Sequence, residues 1–117
     1  MDPTRIRDLM KRLLDSTRAG KLSWEETADE NTFRLTLDVG ILHIQRVQQQ
    51  ATLGSFVQGD YRLSLLNENN VLVGEFEGRE TEDYRLLSAL YEAARLSALK
   101  PNDFLRQVQE EVIRRSG

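Results

Sequence analysis

The chain has a single histidine, His43, and no cysteine. Thiol catalysis, disulfide frameworks, thiolate metal sites and paired-histidine metal sites are therefore excluded. His43 alternates with Leu42 and Ile44, so it points away from the face those two bury. As a base it would need a serine or threonine within hydrogen-bond reach and an acid to orient it. The sequence holds no GxSxG elbow, phosphate loop, GxGxxG or HExxH motif. The expectation is a non-enzymatic protein with no catalytic residue, no cofactor and no metal. The carboxylates Glu75, Glu77, Glu80, Glu82 and Asp83 cluster, but their spacing lacks the ordered ligands and the glycine of a calcium loop. Arg7, Lys11 and Arg18 fall in a narrow band on the polar side of the first helix, a basic stripe that could meet phosphate or an acidic partner. Asp8 and Asp15 interrupt it, and no aromatic platform accompanies it.

The elements that position these groups follow from periodicity. Asp2 and Pro3 open a helix, one as an N-cap and the other at the first helical position. Ile6, Leu9, Met10, Leu13 and Leu14 give it one apolar stripe, and Gly20 ends it, so helix one spans about Pro3 to Ala19. From Lys21 to Glu77 the period falls to 2, that of half-buried strands. Strands are expected at Leu22 to Glu25, at Phe33 to Leu37, at Ile41 to Val47, around Tyr61, Leu63 and Leu65, and at Val71 to Glu77. The asparagine-rich turn 67–70 joins the last two, because Asn tolerates left-handed backbone. Thr81 can cap a second helix whose apolar positions, Leu86, Leu87, Leu90, Tyr91, Ala94 and Ala98, cover nearly half its circumference. Such a helix touches both the sheet and another helix. Lys100-Pro101 breaks it, and Phe104, Leu105, Val108 and Val112 form the inner stripe of a third helix ending near Arg115. The expected fold is α+β in a single domain, 1–117: an N-terminal helix, a four- to five-stranded antiparallel meander, and two C-terminal helices packed on one face of the sheet.

A chain of 117 residues with 39% apolar side chains buries a modest core without a disulfide or metal staple. Its net charge of −3 hides a split: residues 1–21 carry +3, 22–83 carry −8 and 84–117 carry +2. A pI near 5.2 lacks the basic field that drives nucleic-acid affinity, so nucleic-acid binding through the stripe ranks last. Apolar runs are too short to span a bilayer, and the first residues do not read as a signal peptide. Together with the missing cysteine, this gives a cytoplasmic expectation.

The stretch Gly20-Lys21-Leu22-Ser23-Trp24-Glu25-Glu26-Thr27 through Phe33, together with Leu90-Tyr91-Glu92-Ala93-Ala94-Arg95 to Leu99, resembles a pattern of small uncharacterised bacterial proteins. These have a G-K-L-x-W-E-E-T-x-D-E-x-T-F motif after the first helix and an L-Y-E-x-A-R-x-x-A-L helix near the end. The resemblance implies the same α+β arrangement and brings no activity or site residue. The chain departs from the pattern in its glutamine-rich segment 48–58.

Trp24, the sole tryptophan, is expected to pin helix one onto the sheet near Phe33 and Tyr91. Leu53, Phe56 and Val57 lie in a glycine-containing segment with no period to bury them, and Leu96 and Ile113 fall off the inner stripes of their helices. These five residues are the candidate partner-binding surface. The expected role is a protein-binding module, an adaptor, inhibitor or immunity-type protein of bacterial or phage origin. It would act through an apolar loop or sheet edge on a protein partner or a second copy of itself. The alternative is a small-ligand sensor with a pocket between sheet and helices near Trp24 and Tyr91.

Overall fold

A computed structural model of the chain describes residues 2–47, 60–78 and 81–117, and of Thr81 the backbone alone. The element order is α1 (Pro3–Arg18), β1 (Glu25–Glu26), β2 (Thr32–Leu37), β3 (Gly40–Val47), β4 (Asp60–Asn67), β5 (Leu72–Glu77), α2 (Thr81–Leu99) and α3 (Pro101–Ser116). The fold is α+β, as the hydrophobic periods require.

Helix α1 has both of its ends satisfied by its own sequence. Asp2 Oδ1 accepts from the Thr4 amide at 3.0 Å. At the other end the Gly20 amide donates to the Thr17 carbonyl and the Lys21 amide to the Ser16 carbonyl, a Schellman closure. That closure needs left-handed backbone at Gly20, where φ is +75°.

The five strands form one antiparallel meander in sequence order. Register follows the alternation of side chains. Phe33, Ile44, Leu63 and Phe76 face one another across β2 to β5 on the helix side, and Arg34, His43, Ser64 and Glu75 make the neighbouring row on the opposite side. The turn between β2 and β3 requires glycine, since a Cβ on Gly40 would run into the Leu66 carbonyl of β4. Between β4 and β5 the Asn67 carboxamide accepts from the amides of Asn69 and Val71, and Asn70 adopts left-handed backbone at φ 63°.

The expected first strand is displaced. Pairing with β2 involves only Glu25 and Glu26, and the Trp24 amide donates instead to Ser97 Oγ of α2 at 3.0 Å. Helix α2 is the centre of the molecule: it packs against α1 on one side and against all five strands on the other. Leu87, Leu90 and Ala94 are wholly buried there beside Met10, Ile44 and Leu63, which accounts for its wide apolar arc.

Helix α3 differs from the expectation. Its spacing predicts an inner stripe, yet none of its residues is buried. Phe104, Leu105, Val108 and Val112 are exposed along with Ile113. The radius of gyration, 16.9 Å, compares with about 13 Å for a compact chain of this length, which fits a helix standing off the body. Only α2 of the two C-terminal helices covers the sheet.

Candidate interaction surface

The basic stripe is not one surface. Arg7 Nε donates to Asp83 Oδ1 at 2.7 Å and Nη2 reaches Oδ2 at 3.4 Å, while Lys11 Nζ lies 3.9 Å from Glu82 Oε1. Two of the three cations therefore face carboxylates in the first turn of α2, where the helix dipole also favours negative charge. Sequence reasoning placed those acids correctly at a helix start and missed that α1 packs against it. Arg18 lies apart, lining a groove of about 480 Å³ with Thr17, Leu22, Ser23, Leu96 and Ser97.

Trp24 does not line that groove. Its ring is buried, and Nε1 donates to the buried Thr17 hydroxyl at 2.9 Å, so the polar end of the indole is satisfied inside the core. Tyr91 is likewise buried, with its ring 5.5 Å from Phe33 and 5.3 Å from Tyr61. The structure brings Arg18 and Leu96 together in the groove and keeps both aromatic residues of the small-ligand reading inside.

His43 sits half-buried on the face of the sheet away from α2, between Arg34 on β2 and the buried Ser64 on β4. Burial first, and then the nearby Arg34 charge, hold its pKa below the ordinary histidine value. A neutral imidazole beside a serine is a pairing that strand spacing alone could not reveal, because it depends on the β3 to β4 register. Arg34 in turn reaches Glu25 at 3.1 Å, and its Nε is buried with no hydrogen-bond partner. Among the described residues no group of three or more His, Asp or Glu side chains is gathered as a metal site. No described helix is long and apolar enough to cross a membrane.

Two apolar surfaces remain. The first is the β5 edge, where Val71, Leu72 and Val73 are exposed. A break in register between Leu65 and Leu66 leaves Val73 bulged, and Glu75 and Glu77 follow it. Bulges and charges of this kind blunt an edge strand against pairing. The second is α3. Phe104 is 66% and Ile113 71% exposed, and Val108, Val112 and Ile113 line a shallow apolar depression.

Of the five residues proposed from sequence, Leu96 and Ile113 are exposed, Leu96 at the groove and Ile113 beside the α3 stripe. Leu53, Phe56 and Val57 lie outside the described residues, as does Glu80. The surface that sequence reasoning missed is Phe104, Leu105, Val108 and Val112. Their spacing is visible, but a stripe has the same spacing whether the chain's own body or another molecule covers it.

No protein-family model, curated protein or solved structure matches the chain.

Proposed function

We propose that the protein is a non-enzymatic protein-binding module whose docking element is α3. The observation that carries this reading is the exposure of an ordered apolar stripe along the whole of a 16-residue helix with no buried residue. An isolated helix of this length is marginal in water, and helices in proteins gain most of their stability when the apolar face is covered. An amphipathic helix laid against a complementary face is a recurring mode of protein recognition. The pairing of Arg7 and Lys11 with Asp83 and Glu82 weighs against nucleic acid as the partner.

The test is retention of protein from a lysate of the cells that make it, the chain's own untagged copies included. The immobilised chain retains a partner, and Leu105→Asp with Val112→Asp loses it while keeping its thermal midpoint. Equal retention by wild type and variant contradicts the reading.

The groove beside Arg18 supports a second, small-ligand reading, with Arg18, Ser23 and Ser97 as polar groups around Leu96. A metabolite that shifts Trp24 fluorescence in the wild type but not in Leu96→Asp would establish it, and a flat response would remove it.

A further inference from the structure

We infer that the groove at the end of α1 binds a small amphipathic carboxylate, its anionic head at Arg18 and its apolar body on Leu22 and Leu96. The inference rests on the small-ligand reading of that groove and adds the chemical class of the ligand.

The hydrogen bonds already made around the groove set the sign of the ligand's charge. Several acceptors there are engaged. The carbonyls of Asp15, Ser16 and Thr17 accept from the amides of Ala19, Lys21 and Gly20. Thr17 Oγ1 accepts from Trp24 Nε1, and Ser97 Oγ accepts from the Trp24 amide while donating to the Leu22 carbonyl at 3.4 Å. By contrast, the side chains of Arg18, Ser23 and Asn102 line the groove and make no hydrogen bond or ion pair among the described residues. Each of the three can turn a donor toward a ligand, and Arg18 can do nothing else. Residues 22–83 carry a net charge of −8, yet no carboxylate is among the groove's lining residues. A cavity with one cation, no anion and spare donors is complementary to an anionic acceptor, and the planar guanidinium matches a carboxylate.

The other side of the groove is apolar. Leu22 is half-buried and Leu96 is 48% exposed, beside Ala93. At about 480 Å³ the groove has the size of a small-molecule site. Inorganic phosphate would leave both leucines wet, and an amine would set a cation beside Arg18. A carboxylate on a short hydrocarbon chain meets both halves. Arg18 also stands in the last turn of α1, where the helix dipole favours a cation. That role uses its charge and leaves its N–H groups free, so the deciding readout is ligand selectivity rather than stability.

The probes are hexanoate, hexanol and hexylamine, one hydrocarbon chain with three head groups, titrated into the isotope-labelled chain. Hexanoate should shift the amide resonances of Gly20, Ser23, Leu96 and Asn102, hexanol should shift them more weakly, and hexylamine should not. Added salt should weaken hexanoate alone. Arg18→Gln should weaken it about fivefold, as loss of a solvent-screened charged contact implies, and erase its advantage over hexanol. Arg18→Lys should keep that advantage. Arg18 is exposed, so both variants should keep the wild-type thermal midpoint. Hexanol or hexylamine binding there as tightly as hexanoate overturns the carboxylate class and leaves the small-ligand reading standing. Hexanoate binding equally to Arg18→Gln overturns Arg18 as its anchor. Hexanoate that moves no groove amide overturns the inference; the small-ligand reading falls with it only if metabolites also leave Trp24 fluorescence flat.

Discussion

Arg7 of α1 and Asp83 of α2 lie 76 residues apart in sequence and 2.7 Å apart in space. The pair ties the start of α2 to the first helix and turns part of an apparent basic surface into internal structure. Asp83 is nearly buried and Arg7 about one-third exposed, so removing the cation leaves a carboxylate short of a partner it cannot replace with water. Arg7→Met is expected to cost about 2 kcal/mol, below the full penalty of a deeply buried pair because solvent reaches the guanidinium. Urea denaturation measures this, and a loss under about 0.5 kcal/mol would show the contact to be incidental.

The Trp24 indole makes the same kind of demand inside the core. Thr17→Val removes the acceptor of Nε1 at nearly constant volume and leaves a buried donor unsatisfied, at a cost of about 1–3 kcal/mol. Trp24→Ala, which opens a large cavity as well, is expected to cost about 3–5 kcal/mol. If Thr17→Val proves neutral in equilibrium unfolding, the hydrogen bond is not holding the ring.

Helix α1 was legible to its last turn, because its cap, stripe and closing glycine are all local chemistry. The strands were legible from their alternation, apart from the first. There Trp24 has the pattern of a strand residue, but its amide finds a side chain on α2 before it finds a neighbouring strand. Three relationships needed the folded chain: Arg7 with Asp83, His43 with Ser64, and α3 with open solvent. Each depends on which elements become neighbours, and periodicity says only that a face needs covering.

Histidine 43 should make stability depend on pH. Its folded pKa lies below the unfolded value, so the unfolded chain binds the proton more readily. Stability is then complete above the ordinary histidine pKa, about 6.5, and declines as pH falls from there toward the lowered folded value. His43→Gln should flatten this segment of the pH–stability curve. An identical slope in wild type and variant between pH 7 and pH 5 would remove His43 as its source.

Substitutions on α3 should separate association from folding. Val108→Asp is expected to change the stability of the monomer by less than about 0.5 kcal/mol, since Val108 is exposed on a helix with no buried residue. Leu87→Ala, in the wholly buried face of α2, should cost about 2–5 kcal/mol. Thermal denaturation at low micromolar concentration makes the comparison, and equal losses would place α3 in the core after all.

Amide hydrogen exchange across a dilution series tests most directly whether α3 is a helix waiting to be covered. In the chain alone, protection over residues 101–116 should lie well below that over 81–99, whose inner face is buried, at every dilution. Protection of 101–116 that is high and independent of concentration, in the chain alone, would contradict the account.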